Sequence, residues 1–208
     1  MIDASALSTF IIVVLGLFLV PGPAVLLTLG RATSGGRRVG IATGFGIAAG
    51  DLVHAAMATF GLSAVLMTSA LAFNVVKYAG VAYLVYLGIR AFFAKADALH
   101  LPEVRRIGVP RAFRQAVLAE MLNPKTSLFF LAFLPQFVHP ANGSVIAQFA
   151  LLGLIFVVMS AAYTTLIAIG AGALTPWLSR HRKIGRWQSK IVGTIYLGLG
   201  IRLALQER

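Results

Sequence analysis

Long apolar segments alternate with short polar ones along nearly the whole of this 208-residue chain. A helix that crosses a bilayer needs about 20 mostly apolar residues. Six segments are of roughly this kind, at positions 5–29, 39–68, 70–94, 115–138, 145–177 and 191–205. The pattern therefore predicts an all-α integral membrane protein with six transmembrane helices in one domain.

The composition supports this class, since 59% of the residues are hydrophobic and only 12% are charged. The first segment follows Met1-Ile2-Asp3, which lacks the basic n-region of a signal peptide, so we expect a retained helix. The absence of cysteine excludes disulfides and thiolate metal sites, and the four histidines fall in different segments. We therefore expect no metal and no cofactor. Hydrolase, zincin and phosphate-loop motifs are also missing from the sequence, so we do not expect an enzyme.

The net charge of +12 is distributed unevenly among the connecting segments. Basic residues concentrate at positions 30–38, 95–114 and 178–190, and these segments alternate with nearly uncharged turns. The positive-inside rule places the three basic segments in the cytoplasm, where they would also contact anionic lipid headgroups. This alternation is typical of membrane topology and not of nucleic-acid binding. Six spans would put both termini outside, whereas a five-span version would put the N-terminus inside.

The basic connection at 95–114 divides the chain into two halves, 1–96 and 113–208, of three spans each. Because the number of spans per half is odd, the halves run oppositely through the membrane, as in transporters built from inverted repeats. Glycines recur every four residues in the second segment, at Gly36, Gly40 and Gly44. This spacing permits close helix contact within one chain or across a homodimer, or a surface on which helices slide.

Prolines interrupt two of the apolar segments, as Pro21-Gly22-Pro23 in the first and Asn123-Pro124-Lys125 in the fourth. Proline lacks a backbone donor and clashes with the preceding turn, so each motif predicts a break in a membrane helix. The carbonyl groups freed by a break need other partners in hydrocarbon. Broken helices at membrane depth commonly line a pathway.

Few ionisable residues lie inside the apolar segments, where a central charge costs about 2.5–3.5 kcal/mol on insertion scales. Asp51 and His54 share one face of the second helix and could hold and exchange a proton. The alternative interpretations are that Asp51 belongs to an interhelical hydrogen-bond network and that His54 is a packing residue.

The fourth segment carries Glu120, Asn123 and Lys125 around its proline. A buried ammonium beside freed backbone groups suits the carboxylate of a ligand, and Glu120 suits the amino group of the same ligand. Alternatively, Glu120 and Lys125 form an internal ion pair that holds the kink, or Lys125 reaches towards the cytoplasmic interface. Gln136 is a weaker candidate for the wall of a cavity.

Four features, in this order along the chain, resemble the lysine exporter and homoserine/threonine resistance family of amino-acid efflux proteins. They are Pro21-Gly22-Pro23, the glycine-spaced second helix with Asp51, the stretch Tyr78-x-Gly80-x-x-Tyr83-Leu84-x-Tyr86-x-Gly88, and the stretch from Asn123-Pro124-Lys125 through Phe129-Phe130 to Leu134-Pro135-Gln136-Phe137. The resemblance covers nearly the whole chain. It implies export of amino acids or related small metabolites across the bacterial inner (plasma) membrane, driven by the proton gradient. Glu120 and His54 are candidates from their own chemistry and are not carried over from the family.

The sequence thus predicts a proton-coupled amino-acid exporter in which Asp51 is the leading proton carrier. The two broken helices would form the ligand site near the interface of the halves. Its expected partners are an amino acid, protons and lipid. Two alternatives remain open at this stage. A passive metabolite channel could use the same broken helices, and a divalent-cation exporter would share the topology but is expected to carry acidic or histidine-rich stretches that this chain lacks.

Overall fold

The computed structural model describes residues 2–19, 21–68, 70–93 and 105–180. It also describes seven helical residues near the C-terminus, which are Lys190, Gly193, Thr194, Leu197, Gly198, Gly200 and Ile201. Up to residue 180 the described residues form eight α-helices. These are α1 (Ala4–Leu19), α2 (Pro23–Gly35), α3 (Arg37–Met57), α4 (Ser63–Thr68), α5 (Ala70–Phe92), α6 (Val109–Met121), α7 (Pro124–Ala132) and α8 (Val145–Arg180). A π-helical turn, Ala58–Leu62, joins α3 to α4, and two short 3₁₀ helices, Leu134–Phe137 and Pro140–Asn142, lie between α7 and α8.

The protein is an all-α membrane protein, as the apolar pattern predicts. Two continuous helical stretches, Arg37–Val65 and Val145–Leu174, are long and apolar enough to cross a membrane. Two broken pairs pass the same test jointly: α1 with α2, bent by 56°, and Val109–Met121 with Pro124–Phe137, bent by 49°. The described residues therefore contain two to four candidate spans. The third predicted span is largely helical as α5, but most of the sixth lies outside the described residues, so the count of six stays a prediction.

Two predicted boundaries differ from the structure. The connection expected at 30–38 is reduced to Gly36, whose φ of 86° lets the chain reverse between α2 and α3 in a single residue. The helix expected to start near residue 115 already begins at Val109, because Gly108 is its N-cap and Pro110 occupies the first turn, where its missing N–H is harmless. The basic connection therefore ends six residues earlier than predicted. Its residues 94–104, like 181–189 in the third basic segment, lie outside the described part.

Arg31, expected in a cytoplasmic turn, is instead buried at the end of α2. Its guanidinium donates to the carbonyl oxygen of Arg105 at 2.5 Å and to Oε1 of Gln115 at 2.8 Å. These bonds attach α2 to the start of α6 across the boundary between the predicted halves. Arg31 therefore has a packing role in addition to its contribution to the charge pattern.

Helix α3 lies at the centre of the fold, packed against α2, α6 and α8. Its glycines allow this close approach. A Cβ atom on Gly40 would lie 2.5 Å from Cβ of Ala32 in α2, and one on Gly44 would lie 2.8 Å from the hydroxyl of Thr164 in α8. Gly46 and Gly50 face α6 in the same way. The glycine pattern is thus used for contacts within one chain.

We expect Gly46→Ala to destabilise the protein, because the added methyl group would meet the backbone carbonyl of Phe113 and the side chain of Ala116. Overpacking of this kind typically costs about 1–3 kcal/mol. The measurement is the thermal unfolding midpoint in detergent. Gly170→Ala is the matched control, since a Cβ atom there would have no neighbour within 4 Å. Equal midpoints for the two variants would show that α3 and α6 are not in tight contact.

Two apolar clusters are arranged along α8. The first includes Phe149, Leu152 and Phe156, which pack with Phe10 of α1 and Phe129 of α7 among others. The second joins Ala168 and Ala171 to α2 through Val25, Leu29 and Ala32. Between them, on the same helix, lie the polar side chains Ser160, Tyr163 and Thr164. The candidate site occupies this interval.

Candidate functional site

The first helix break exposes backbone acceptors at the end of α1. In a continuous helix the carbonyl of Leu17 would accept a hydrogen bond from residue 21, but Pro21 has no N–H. The ammonium of Lys125 supplies the missing donor, with Nζ 2.8 Å from the Leu17 oxygen. The adjacent carbonyl, that of Phe18, accepts from the hydroxyl of Tyr163 at 2.7 Å. Side chains from two other helices therefore satisfy the broken end of α1.

At the second break, a side chain from another helix again replaces the backbone donor that a proline lacks. Pro124 cannot donate to the carbonyl of Glu120, and Nε2 of His54 lies 3.0 Å from that oxygen. Because a carbonyl oxygen only accepts, this hydrogen bond requires the imidazole proton on Nε2. The backbone N–H of Asn123 also reaches the same oxygen, at 2.9 Å. His54, whose ring stacks on Phe130, thus holds the end of α6 from α3.

Asn123 begins the next helix. Its side-chain Oδ1 accepts from the backbone N–H of Lys125 at 3.0 Å and caps α7, while Pro124 occupies the first helical position. The same side chain donates through Nδ2 to both carboxyl oxygens of Glu120, at 3.0 and 3.1 Å. One amide therefore fixes the start of α7 and the orientation of Glu120 together.

A pair of buried carboxyl groups lies beside this break. Glu120 also accepts from the hydroxyl of Thr126 at 2.5 Å, and Asp51 accepts from the hydroxyl of Ser160 at 2.5 Å. Asp51 and Glu120 are each at most 2% exposed, and both line the cavity described below. Two ionised carboxylates in one buried space would repel each other, so we expect at least one of the pair to carry a proton.

A cavity of about 40 Å³ connects these groups. Its polar wall consists of Asp51, Glu120, Asn123, Lys125, Thr126, Ser160, Tyr163 and Thr164, and the rest is formed by Leu17, Phe18, Gly22, Ala24, Val25, Ile47 and Phe156. About 10–15 Å³ suffices for the centre of one water molecule, so the space holds about three. Ligand pockets usually measure about 300 Å³ or more, so the cavity is smaller than a typical ligand pocket.

The residues predicted from sequence are distributed in three ways. Gly22, Asp51, Glu120, Asn123 and Lys125 all line the cavity. Pro21, Pro23 and Pro124 shape the two breaks without being among the lining residues. His54 and Gln136 are also outside the lining. His54 donates from α3 to the backbone carbonyl of Glu120. The side chain of Gln136 donates to the carbonyl of Ala132 at 3.1 Å and so caps the end of α7.

The sequence reasoning missed three contributors. Ser160 could have been predicted from the sequence, because it precedes Tyr163 and Thr164 by three and four residues and therefore shares their helical face. Thr126 had none, since the break at Pro124 destroys the periodicity that would relate it to Glu120. The Leu17 carbonyl could have been found by asking which acceptor Pro21 leaves without a donor.

Comparisons with known proteins agree with this architecture. Over residues 15–207 the sequence matches the family profile described as LysE type translocator. An uncharacterized membrane protein of Pseudomonas aeruginosa is 32% identical over 205 residues, covering 94% of this chain and 93% of the relative. The leucine efflux protein of Salmonella typhimurium is 25% identical over 198 residues, covering 94% of this chain and 93% of that protein. No solved structure matches the chain.

Proposed function

Because this chain belongs to the LysE type translocator family, we propose that it exports an amino acid across the bacterial inner membrane in exchange for protons. It is a transporter and not an enzyme. The relative named a leucine efflux protein supports an amino-acid substrate. The cavity supports it as well, because the Lys125 ammonium and two buried carboxyl groups line one space at two broken helices.

The burial of Asp51 and Glu120 in one cavity is the observation on which the proton coupling rests. Both carboxyl oxygens of Glu120 already accept hydrogen bonds, from Asn123 and Thr126, whereas Asp51 accepts one bond, from Ser160. The proton of the pair is therefore assigned to Asp51. Loss of this proton would leave two like charges in a buried site, and their repulsion would separate α3 from the α6–α7 break.

This separation gives a simple exchange cycle. The protonated pair holds the cavity closed, and release of the proton to the cytoplasm opens it to an amino acid, whose carboxylate binds Lys125. Release of the amino acid outside allows a proton from the outside to join the carboxyl groups again. One proton enters for each amino acid that leaves.

Membrane orientation follows from the charge pattern. The basic segments 30–38, 95–114 and 178–190 lie in the cytoplasm against anionic headgroups, and six spans place both termini outside. The similar bends of the two broken pairs, 56° and 49°, support two inverted halves. A homodimer remains compatible with this arrangement.

The direct test is efflux from proteoliposomes loaded with single radiolabelled amino acids from acidic, basic, polar and apolar classes. We expect an acidic outside buffer to accelerate the efflux of at least one of them, and a protonophore to remove the acceleration. An efflux rate that neither the acidic outside buffer nor the protonophore changes would identify a passive channel. If no amino acid leaves faster than from protein-free liposomes, amino-acid export itself is wrong.

A further inference from the structure

The hydrogen bond from Lys125 to the Leu17 carbonyl joins the two helix breaks. Leu17 lies at the C-terminal end of α1, where the helix dipole is negative, and Lys125 lies in the first turn of α7, where it is positive. The contact thus places the Leu17 carbonyl oxygen, which can bind a cation, 2.8 Å from the Lys125 ammonium, which can bind an anion. An α-amino acid in its zwitterionic form carries the complementary pair of charges on two groups attached to the same carbon atom.

The surroundings of Lys125 are shaped for this contact. A Cβ atom on Gly22 would lie 3.2 Å from Cδ and 3.4 Å from Nζ of Lys125, so the lysine stem runs directly along the first break. Because glycine has no Cβ atom, it leaves room for the aliphatic part of the Lys125 side chain at this position. Both ends of the contact, together with Gly22, line the cavity.

Glu120 is poorly placed to receive the amino group of a ligand. Its two carboxyl oxygens already accept three hydrogen bonds from Asn123 and Thr126. A ligand ammonium at Glu120 would have to displace several of these bonds. At the Leu17 carbonyl it would replace one bond from Lys125, and Lys125 would gain the ligand carboxylate in return.

We propose that the exported amino acid binds by inserting its zwitterion between Lys125 and the Leu17 carbonyl, a mode that rests on the proposed function and names the groups that recognise the substrate. The ligand carboxylate takes the Lys125 ammonium, and the ligand ammonium takes the Leu17 carbonyl. Both hydrogen bonds involve a charged group and are therefore of the stronger kind. The two new hydrogen bonds replace the one between Lys125 and the Leu17 carbonyl.

Insertion explains how a closed cavity of about 40 Å³ admits a substrate. One hydrogen-bond length is replaced by two such lengths and the ligand atoms between them, so the Lys125–Leu17 separation grows by about 3 Å or more. The end of α1 moves away from α7. The substrate side chain then faces the apolar wall at Val25, Ile47 and Phe156, which suits an uncharged aliphatic group.

The binding test compares three ligands that differ by single groups. They are L-leucine, L-leucinamide, which lacks the carboxylate, and 4-methylpentanoate, which lacks the ammonium. For the wild-type protein we expect each truncated ligand to bind at least about tenfold more weakly than leucine, because each loses a charge-assisted hydrogen bond. Lys125→Met should bind leucine and leucinamide equally but still discriminate against 4-methylpentanoate. Arg114→Met, a change at an exposed arginine of α6, is the control and should keep the wild-type order.

The outcomes separate this proposal from the proposed function. Equal binding of leucine and both truncated ligands by the wild-type protein would overturn zwitterion insertion even if proton-driven export is observed. Binding of charged amino acids without binding of leucine would overturn the assignment of the apolar wall. Absence of export for all amino acids would instead contradict the function on which the proposal rests.

A distance measurement tests the insertion itself. The chain has no cysteine, so spin labels can be attached specifically to cysteines introduced at Leu15 of α1 and Leu131 of α7, both of which are exposed. We expect leucine to lengthen the distance between the labels by about 3 Å or more, and leucinamide at the same concentration to lengthen it in a smaller fraction of the molecules, because it binds more weakly. An unchanged distance at saturating leucine would contradict insertion, whatever the affinities.

Discussion

Asp51→Asn is expected to reduce proton-driven export to the background rate of protein-free liposomes. Asparagine has nearly the shape of protonated aspartic acid, and its amide oxygen can accept the hydrogen bond that Ser160 donates to Asp51. It cannot release a proton, however, so the repulsion that opens the cavity never develops. The variant should insert into the membrane and fold normally, because the hydrogen bonds of the closed form are retained.

The measurement is the initial rate of efflux from loaded proteoliposomes with an acidic outside buffer. Asp3→Asn is the matched control. Asp3 lies before α1, where its carboxylate accepts from Ser5 and from the backbone of Ala6, and asparagine can accept the same bonds. That variant should export at the wild-type rate. Full export by Asp51→Asn would remove Asp51 from the coupling mechanism.

Pro124→Ala is expected to weaken substrate binding by about tenfold or more. Alanine provides the N–H that proline lacks. This N–H can donate to the Glu120 carbonyl and competes there with the hydrogen bond from His54. A continuous helix would remove the 49° bend between α6 and α7. Lys125 would then turn away from the Leu17 carbonyl, and the loss of one charge-assisted hydrogen bond is worth about 1.5–3 kcal/mol.

Binding of radiolabelled leucine to the purified variant provides the measurement, and Pro140→Ala provides the control. Pro140 is exposed and begins a 3₁₀ helix outside the cavity, so its replacement should leave the affinity unchanged. Wild-type affinity in Pro124→Ala would mean that the break does not position the binding groups. A more stable protein that no longer binds would agree with the proposal, since functional breaks often store strain.

The two helix breaks share one physical solution. At each of them a proline removes the donor for one carbonyl, and a nitrogen-bearing side chain from another helix replaces that donor. Lys125 does this for Leu17, and His54 does it for Glu120. The replacement donors are side chains that can rotate, so they can release the carbonyl again, which a backbone N–H within a helix cannot do without unwinding.

The sequence predicted the membrane class, the family and both breaks, because these depend on local composition and on single prolines. It also predicted that Asp51, Glu120, Asn123 and Lys125 matter, since ionisable groups in apolar helices need partners. It could not give those partners. The pairing of Asp51 with Glu120 depends on how closely α3 approaches α6 at Gly50, where a Cβ atom would lie 2.6 Å from Cβ of Glu120.

Two interpretations changed for reasons that lie in the tertiary structure. Arg31 was predicted as a loop charge, but α2 continues past it and buries it against the start of α6. Lys125 was predicted to bind a ligand carboxylate, with an ion pair to Glu120 or a position towards the cytoplasmic interface as alternatives. Its Nζ donates instead to the Leu17 carbonyl on α1, more than 100 positions away in sequence. No periodic pattern relates such distant positions.

Proton movement driven by substrate alone tests the central claim most directly. Proteoliposomes are loaded with leucine and a pH-sensitive dye, diluted into leucine-free buffer at the same pH, and held at zero membrane potential with potassium and valinomycin. Exchange predicts that the vesicle interior acidifies as leucine leaves, that a protonophore abolishes the signal, and that Asp51→Asn gives none. Leucine efflux from the wild-type protein without acidification would contradict the proton-coupled mechanism and leave a passive pathway.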